Sequence, residues 1–387
     1  MAVSPAVKSL AAHISNMDHQ LEIRSIFGNY AVHQAASLQA ALPLALGDGA
    51  SNAWLIVDDA LDQWHRETLA EYFAPTRIYR VAAAEEEKSF DRIEPVLKWL
   101  LESGFRRDCT LIAIGGGVVQ DIAGFVASIL FRGARWKLLP STLLAQCDSC
   151  IGSKSSINIA HYKNQLGTFF PPRQVVVVPQ FLRTLPRAAI FSGLGEIIKL
   201  HLVAGQNEFA ALQQKLAACR FEASTPDEKT PDEETLALLQ QMSWDSLLIK
   251  QRFIESDEFD TGVRNLLNYG HTFGHAYESA TNYATPHGIA VTLGLASATR
   301  FSARLGWIEN SEANALIQWL RPYFEPYQKE IASLDPETII AAMKRDKKNT
   351  GQEISCILTR GAGAMEKKAL PVEQTRQWLA AWLEELS

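Results

Sequence analysis

The feature that most constrains the fold is a strand, helix, strand pattern in the first half of the chain. Residues 53–57 and 110–114 are short apolar runs typical of buried strands. Between them, residues 92–101 carry apolar side chains at helical spacing. Strands joined by a helix form a parallel sheet with right-handed crossovers. With a further apolar run at residues 175–178, the pattern predicts an α/β domain with a Rossmann-like parallel sheet.

Beyond residue 179 the pattern changes to long helical periods with few strand signals. These periods cover residues 189–203, 234–254, 268–282 and 291–305. The charged stretch at residues 222–234 indicates a solvated loop. A chain of 387 residues is also long for one hydrophobic core.

The change of pattern therefore predicts two domains. Residues 1–180 are expected to form an α/β nucleotide-binding domain, in which the residues before about Leu21 are a loose extension. Residues 181–387 are expected to form a mainly α-helical domain that binds metal and substrate.

Charge and hydrophobicity limit the partners of the protein. The chain has a net charge of -6, with 47% hydrophobic and 21% charged residues, which are ordinary values for a globular protein. The negative charge argues against general nucleic-acid binding. No apolar run is long enough for a membrane span, and no charged leader precedes an apolar core at the N-terminus. We therefore expect a cytoplasmic protein that binds neither nucleic acid nor membranes.

The cysteines offer two interpretations. Cys147 and Cys150 have C-x-x-C spacing, which is typical of redox pairs. The other three cysteines are scattered and form no second such pair. Free thiols are therefore the favoured interpretation in a cytoplasmic setting.

A concentration of polar residues between Lys250 and His287 indicates a site. His271 and His275, in the context N-Y-G-H-T-F-G-H, are four residues apart, so a helix would place them on one face. Imidazole is a common zinc ligand, and catalytic zinc takes three protein ligands and leaves one position for water or substrate. His287 and one carboxylate could complete such a set. Buried, hydrogen-bonded histidines are the alternative interpretation.

Glu196 is the candidate carboxylate. It lies three residues before Lys199 in the stretch G-L-G-E-I-I-K-L-H, so the two side chains share a helical face. A surface ion pair would have the same spacing and would contribute little. The apolar neighbours indicate burial instead, where a carboxylate needs a cationic partner or a metal.

Three consecutive glycines follow the strand at residues 110–114 and precede a helical pattern. Gly115, Gly116 and Gly117 would let the backbone approach a phosphate, which the N-terminus of the following helix would attract. A tight structural turn explains the same residues equally well. Asp58 ends an earlier strand and could bind a cofactor ribose, with a plain surface turn as the alternative.

The segment at residues 131–164 is dense in polar groups. Such a set suits an anionic small molecule, because charge-assisted hydrogen bonds hold phosphates and carboxylates strongly; a solvated basic loop is the alternative. The polar residues are Arg132, Ser141, Thr142, Asp148, Lys154, Asn158, Lys163 and Asn164.

Taken together, the motifs resemble those of the sugar-phosphate cyclases, and most closely the 3-dehydroquinate synthase family. The resemblance extends from about Asp58 to Lys348 with the motifs in the same order, and it covers most of the chain. The matching motifs are G-G-G-V-V-x-D-x-A-G-F, F-R-G, P-S-T-L-L-A-Q-x-D-S, K-N-Q-L-G-x-F, G-E-I-I-K, R-N-L-L-N-Y-G-H-T-F-G-H-A, P-H-G and M-K-R-D-K-K.

This resemblance implies an enzyme that uses NAD and a zinc-type divalent metal, Zn2+ or Co2+. The implied reaction converts 3-deoxy-arabino-heptulosonate 7-phosphate into 3-dehydroquinate by transient oxidation, phosphate elimination, reduction and intramolecular aldol cyclisation. A homodimer is also implied, with Arg132 reaching a second subunit. The metal ligands would be Glu196, His271 and His287.

The resemblance also assigns roles to the remaining polar residues. It places His275 in phosphate binding and thereby removes it from the metal. Phosphate would be bound by Arg132, Lys154, Asn164, His275 and either Lys347 or Lys348, with Lys163 as a further substrate contact. The substrate carboxylate and hydroxyl groups would contact Lys250, Arg264, Asp148, Lys199 and Asn268. NAD would contact Asp58, Glu85, Lys88, Gly115, Gly116, Gly117, Asp121, Ser141 and Thr142.

The chain departs from the usual motifs at several positions and leaves three alternatives. Serines replace residues of the usual G-G-K-T-G loop, which favours a related cyclase acting on an amino analogue or on sedoheptulose 7-phosphate. A metal-dependent NAD polyol dehydrogenase and a non-catalytic protein that only binds NAD are the others. The departures are Ala60, Gln120, Ser153, Ser155, Ser156 and Ile289.

Overall fold

The computed structural model describes residues 20–160, 162–221, 231–345 and 352–387. The chain divides into two compact units. Unit 1 contains the described residues up to Ser141 together with Ser153–Gln180, and unit 2 contains Thr142–Gly152 and the described residues from Phe181 onward. The domain boundary at residue 180 stays a prediction. The division into compact units places the short segment Thr142–Gly152 in unit 2.

Unit 1 contains a seven-stranded sheet with the strand order β1-β2-β9-β6-β5-β3-β4 and a separate hairpin of β7 and β8. All neighbours in the sheet are parallel except β1 and β2. The strands are β1 (Gln20–Ile23), β2 (Tyr30–Gln34), β3 (Ala53–Asp58), β4 (Ile78–Val81), β5 (Thr110–Gly115), β6 (Arg135–Pro140), β7 (Lys154–Ile159), β8 (Tyr162–Phe169) and β9 (Gln174–Val177). The helices are α1 (Leu38–Leu46), α2 (Asp59–Ala70), α3 (Phe90–Glu102) and α4 (Gly117–Ile129).

The central strands explain why the sequence predicts this half well. Every residue of β3 is buried, as are five of the six in β5, because a parallel strand inside the sheet is covered on both faces and reads as a continuous apolar run. Strands β3 and β5 are neighbours in the sheet. The strand that follows β3 in the chain, β4, lies on one side of this pair, and the strand that follows β5, β6, lies on the other side. This is a topological switch point, where open α/β sheets bind ligands at the carboxyl ends of their strands.

Unit 2 is mainly helical, so the predicted order of an α/β half followed by a helical half is confirmed. Its helices are α5 (Arg187–Ala204), α6 (Gln206–Ala218), α7 (Glu233–Ser256), α8 (His271–Ala280), α9 (His287–Arg304), α10 (Asn310–Leu320), α11 (Glu325–Ala332), α12 (Pro336–Arg345) and α13 (Val372–Leu386). Helix α9 is buried along most of its length and packs into the apolar core.

Two sequence predictions for unit 2 are corrected, and one element was missed. The helix expected at residues 268–282 begins only at His271, because a 3-10 turn at Val263–Asn268 ends before Gly270, whose φ of 82° is left-handed. The helix expected at residues 291–305 begins earlier, at His287. A hairpin of β10 (Glu353–Thr359) and β11 (Met365–Pro371) was not predicted, because the exposed charges of β11 hide its strand pattern.

Four further expectations concern other parts of the chain. The loose N-terminal extension lies outside the described residues, as does most of the charged loop at residues 222–234. The polar segment at residues 131–164 contains β6, β7 and β8, whose strands its composition does not predict. Among the described residues, no helix is both long and apolar enough to span a membrane.

Candidate active site

The candidate metal ligands and their charged neighbours come from four helices and one turn of unit 2. Each of the two predicted histidine ligands is the first residue of its helix, His271 in α8 and His287 in α9. Glu196 and Lys199 lie on α5, and Lys250 lies on α7. A π-helical turn at Ala145–Ser149 carries Asp148.

Glycines allow these helices to come close enough for their side chains to meet. A Cβ atom built on Gly195 would lie 1.9 Å from the Gly288 carbonyl oxygen, and one built on Gly288 would lie 1.7 Å from the Ser192 carbonyl oxygen. The backbones of α5 and α9 are therefore in direct contact, at the residues adjacent to Glu196 and His287. The Gly288 N–H also donates a hydrogen bond of 2.9 Å to Ser192 Oγ.

The α8–α9 crossing uses glycines in the same way. A Cβ on Gly294 would lie 2.1 Å from the Gly270 carbonyl oxygen, and one on Gly274 would lie 3.0 Å from Val291 Cα. Gly270 and Gly274 immediately precede His271 and His275. Each candidate imidazole or carboxylate ligand is thus adjacent in sequence to a glycine at a helix crossing, a signal that could have located the site from the sequence.

Three potential acceptor atoms converge at the centre of this cluster. The Nε2 atoms of His287 and His271 lie 3.1 Å and 3.6 Å from Glu196 Oε1. Their Nδ1 atoms face other acceptors, at 3.0 Å from Glu278 Oε2 for His287 and 3.4 Å from the Tyr269 carbonyl oxygen for His271. With a proton on each Nδ1, both Nε2 atoms would be free to coordinate a metal beside the Glu196 carboxylate.

Glu196 is nearly inaccessible to solvent, and among the described residues neither of its carboxylate oxygens accepts a hydrogen bond of favourable geometry. Lys199 forms an ion pair with its second oxygen. Buried carboxylates require compensation by a partner or a metal. Two imidazole nitrogens and one carboxylate oxygen are also a usual set of ligands for catalytic zinc. The donor set therefore fits a divalent cation.

The electrostatics of the cluster also favour a positive charge beside Glu196. Burial opposes ionisation of Glu196, but Lys199 and His287 hold the pKa of its carboxyl well below the usual value. Burial likewise opposes the charged form of His287, yet the Glu278 and Glu196 carboxylates raise its pKa to about 10. Burial, Lys199 and the neighbouring imidazoles lower the pKa of His271 well below its usual value. His271 is thus neutral, the form that coordinates metals.

His275 belongs to the same cluster. The ligand atoms of His271, His275 and His287 all lie within 4.8 Å of one another, and the His271 and His275 ring centroids are 5.1 Å apart, as neighbours on one helical face would be. His275 is exposed, whereas Glu196 is buried. A carboxylate removed from water has the greater need of a cation, which supports Glu196 over His275 as the third ligand. The ligand assignment itself stays a prediction.

Asp148 links two buried lysines. Its carboxylate forms ion pairs with Lys199, at 3.1 Å, and with Lys250. Lys250 Nζ also donates a hydrogen bond of 2.7 Å to the Asp148 carbonyl oxygen. Burial opposes the charge on Lys199, but Asp148 and Glu196 outweigh it and raise the pKa of Lys199 above its usual value. The result is a continuous chain of charged groups from Glu196 through Lys199 and Asp148 to Lys250.

The other predicted substrate residues of unit 2 are held by backbone carbonyl groups. Arg264 is buried, and its guanidinium donates to the carbonyl oxygens of Gly152, at 3.0 Å, and Glu258. Asn268 donates from Nδ2 to the Asn265 carbonyl oxygen at 3.1 Å. These bonds fix the direction in which both side chains point.

Several predicted cofactor and substrate residues form a second polar cluster, in unit 1. Lys88 Nζ lies 2.8 Å from Asp121 Oδ2 and 3.7 Å from Glu85 Oε1, and Lys163 Nζ lies 3.6 Å from the same Glu85 oxygen. The Ser156 N–H donates to Asp121 Oδ1 at 3.1 Å. The β7–β8 hairpin therefore brings Lys163 to residues that the family resemblance assigns to the cofactor.

The three glycines differ in what surrounds them. A Cβ on Gly115 would lie 2.5 Å from Val119 Cβ, whereas one on Gly117 would have no described atom within 4 Å outside its immediate neighbours. Gly116 is the N-cap of α4, and the Ser141 N–H donates to the Gly115 carbonyl oxygen at 2.9 Å. Packing thus explains glycine at position 115, while at position 117 it leaves space beside the helix N-terminus, where a phosphate would bind.

Two other predicted cofactor residues have local structural roles. Asp58 Oδ1 accepts a hydrogen bond of 2.8 Å from the Ala60 N–H and so caps α2, which supports the turn interpretation. Thr142 Oγ1 accepts one of 3.2 Å from the Ala145 N–H at the start of the π-helical turn. Their roles in cofactor binding stay predictions.

The structure does not gather all the predicted phosphate residues. Arg132 and Lys154 are exposed, and the φ of Arg132 is 63°. The Asn164 N–H donates to Asn158 Oδ1 at 2.9 Å, next to the unit 1 cluster. Lys347 and Lys348 lie outside the described residues.

Glu278 is a site residue that the sequence analysis missed. It follows His271 by seven residues and His275 by three, so all three side chains lie on one face of α8. That spacing was a usable signal. The departure at Ile289 is explained by burial in the apolar core of unit 2.

The five cysteines are free, as favoured by the sequence. Cys147 and Cys150 are buried, and burial raises the pKa of Cys150 to about 12. Reactive thiols need a lowered pKa and access to solvent, so burial of this pair favours free, unreactive thiols over a redox pair.

Comparison with known proteins matches the chain to two family models that meet within α5. Residues 78–192 match the family described as 3-dehydroquinate synthase N-terminal, and residues 193–349 match 3-dehydroquinate synthase C-terminal. A 3-dehydroquinate synthase from Alkaliphilus metalliredigens is 32% identical over 87% of this chain and 91% of its own length. The chain belongs to the 3-dehydroquinate synthase family. Another relative with this name, from Acidithiobacillus ferrooxidans, is 36% identical over 82% of this chain and 84% of its own length.

Solved structures extend the comparison of this 3-dehydroquinate synthase family member to other cyclases. A 2-deoxy-scyllo-inosose synthase, in complex with carbaglucose-6-phosphate, NAD+ and Co2+, has a TM-score of 0.79 at 20% identity and covers 94% of this chain and 99% of its own. A 2-epi-5-epi-valiolone synthase from Streptomyces hygroscopicus, with NAD+ and Zn2+ bound, has a TM-score of 0.75 at 25% identity, covering 92% and 97%. The chain is an enzyme of the sugar-phosphate cyclase type, as its motifs predict.

Proposed function

We propose that this enzyme is a 3-dehydroquinate synthase that converts 3-deoxy-arabino-heptulosonate 7-phosphate into 3-dehydroquinate and inorganic phosphate. The observation that carries the proposal is the convergence of the His271 and His287 Nε2 atoms on a buried Glu196 oxygen, at 3.6 Å and 3.1 Å. Membership in the 3-dehydroquinate synthase family over residues 78–349 supports the choice of reaction.

The proposed cofactors are NAD and a divalent metal, Zn2+ or Co2+. Glu196, His271 and His287 would hold the metal, and the β5–α4 turn with the open position at Gly117 would hold the NAD pyrophosphate. When bound, NAD accepts and returns a hydride, and the cation makes a substrate hydroxyl more acidic. Residues 1–180 would thus serve NAD and residues 181–387 the metal.

The charges of the unit 2 cluster support an anionic substrate. With His287 neutral as a metal ligand, the three buried cations of the cluster are matched by three carboxylates, so a divalent metal in place of the His287 proton would make the cluster positive and attract phosphate and carboxylate groups. The cations are Lys199, Lys250 and Arg264, and the carboxylates are Asp148, Glu196 and Glu278.

Within this proposal the same residues bind and orient the substrate. Lys250 and Arg264 would bind the substrate carboxylate, and Asp148, Lys199 and Asn268 would bind its hydroxyl groups. The bonds of Lys250 to Asp148 and of Arg264 to Gly152 restrict the motion of both cations. Restricted donors lose little entropy when the substrate binds.

The experiment that tests the proposal uses purified protein with NAD+ and Zn2+. It measures release of inorganic phosphate and absorbance of NADH with 3-deoxy-arabino-heptulosonate 7-phosphate. Stoichiometric phosphate release without accumulation of NADH is expected, because the hydride is returned within each turnover. Absence of phosphate release would refute the proposal, and accumulation of NADH would indicate a polyol dehydrogenase instead.

A second candidate is a cyclase acting on an uncarboxylated or amino sugar phosphate. Two observations favour this candidate. The chain is structurally similar to 2-epi-5-epi-valiolone synthase, and the start of β7 is serine-rich, with Ser155 Oγ hydrogen-bonded to Thr168 Oγ1 at 2.9 Å. Turnover of sedoheptulose 7-phosphate or of an amino analogue faster than that of the carboxylated substrate would select this candidate.

We further propose that the enzyme acts in the cytoplasm as a homodimer in which Arg132 reaches the partner's phosphate site. The exposure of Arg132 supports this arrangement. Mixing inactive R132A with inactive H271A protein tests it, because a heterodimer would contain one site without either change. Recovery of phosphate release on mixing is expected, and no recovery after subunit exchange would refute the shared site.

A further inference from the structure

Glu278 connects the candidate metal ligand His287 to a second carboxylate. Its Oε2 atom lies 3.0 Å from His287 Nδ1, while His287 Nε2 lies 3.1 Å from Glu196 Oε1 on the other side of the ring. The imidazole is therefore held between two carboxylates. One belongs to the ligand set, and the other lies on α8 outside it.

The two histidine ligands differ in this respect. His271 Nδ1 faces the neutral carbonyl group of Tyr269 at 3.4 Å, which is a long contact. His287 Nδ1 faces a charged acceptor at 3.0 Å. A carboxylate that accepts the Nδ1 proton fixes the tautomer and the ring orientation, and it makes Nε2 a stronger electron donor to a metal.

We propose that Glu278 is a positioning residue that directs His287 Nε2 toward the metal and strengthens its coordination. This inference rests on the proposed function, since it requires the enzyme to bind a metal at Glu196, His271 and His287. Glu278 touches neither the substrate nor the metal in this role, and it acts through His287.

The test compares zinc affinity among variants by competition with a chromophoric chelator. Glu278→Gln keeps the size of the side chain and an accepting oxygen but removes the charge, and Glu278→Ala removes the acceptor. Zinc affinity is expected to fall about 10-fold in the first and up to about 100-fold in the second. The absorption bands of the Co2+-loaded protein are expected to shift in both, because the ligand field of His287 changes.

Glu385→Gln is the matched control. Glu385 pairs with Arg300, at 2.7 Å, and Arg304, at 3.0 Å, near the C-terminal end of α9. It therefore stabilises the helix that carries His287 without contacting the imidazole. Its zinc affinity and Co2+ spectrum should match those of the unaltered enzyme.

The outcomes separate the inference from the proposed function. If the unaltered enzyme binds no zinc, the proposed function fails together with the inference. If it binds zinc and Glu278→Gln has the same affinity and Co2+ spectrum, only the inference fails. An equal loss in Glu385→Gln would also refute it, since the effect would then come from helix stability. Circular dichroism verifies that each variant folds. If Glu278→Ala does not fold, the zinc affinity and Co2+ spectrum of Glu278→Gln decide the test.

Discussion

Glycine serves different purposes in the two units. In unit 2, Gly195 and Gly288 bring the backbones of α5 and α9 into contact, and an added Cβ would lie within 2 Å of a carbonyl oxygen. In unit 1, Gly117 begins α4 with no described atom within 4 Å of such a Cβ outside its immediate neighbours. The first pair is explained by packing. Packing does not explain Gly117, for which approach of a ligand and a tight structural turn stay the two interpretations.

The difference shows how each unit would build its binding site. In unit 2, close contact between helix backbones brings buried side chains together, so side chains would coordinate the metal. Unit 1 leaves space beside a helix N-terminus, so its backbone N–H groups would be the ligands. Substitutions should therefore damage folding and metal binding in unit 2 but cofactor binding alone in unit 1.

The largest effect is expected when the carboxylate at the α5–α9 crossing is altered. Glu196→Gln keeps the shape of the side chain but removes the charge that balances a cation. We expect zinc to be lost and kcat to fall by about 1000-fold, which corresponds to about 4 kcal/mol of transition-state stabilisation. Metal analysis and phosphate release measure the two effects. Full zinc occupancy with unchanged kcat would show that the crossing serves packing alone.

The next effect concerns the crossing itself. Gly288→Ala places a methyl group 1.7 Å from the Ser192 carbonyl oxygen, and two helices cannot separate locally without losing core packing. We expect the free energy of unfolding to fall by at least about 3 kcal/mol and zinc affinity to fall with it. Denaturant unfolding and zinc titration measure both. Wild-type stability in this variant would contradict the close contact.

Gly117→Ala is the matched substitution in unit 1. An alanine at this position meets open space and is a better helix former, so the free energy of unfolding should stay the same or rise by up to about 1 kcal/mol. NAD affinity should fall by about tenfold, or about 1.4 kcal/mol, because the methyl group would occupy the path of the phosphate. Calorimetric titration with NAD+ measures it. Unchanged NAD affinity would favour the purely structural turn.

The sequence predicts the parts of the molecule whose signals are local. Continuous apolar runs identify β3 and β5 because central parallel strands are buried on both faces. The four-residue spacing of His271 and His275 correctly predicts neighbours on one face, and the i, i+3 pair of Glu196 and Lys199 does form an ion pair.

Long-range features were not predictable from local patterns. The ion pair of Lys88 and Asp121 joins residues 33 positions apart, and that of Asp148 and Lys250 joins residues 102 positions apart. Their partners are chosen by the packing of elements, which periodicity does not report. The break at Gly270 was missed because the buried Tyr269 and Phe273, four residues apart, continue the helical pattern across a left-handed residue.

The smallest expected effect tests whether glycine contact alone sets the α8–α9 geometry. The buried Tyr269 hydroxyl bonds Thr299 Oγ1 at 2.8 Å, and Thr299 also donates to the Leu295 carbonyl oxygen at 2.8 Å. Tyr269→Phe removes one hydrogen bond but leaves no buried donor without an acceptor, so the free energy of unfolding should fall by only about 1 kcal/mol.

Tyr162→Phe, at an exposed position of β8, is the control and should change the free energy of unfolding by less than about 0.5 kcal/mol. If glycine contact fixes the crossing, zinc affinity stays within about twofold in both variants, whereas a tenfold loss in Tyr269→Phe alone would show that the hydroxyl pair positions His271 as well.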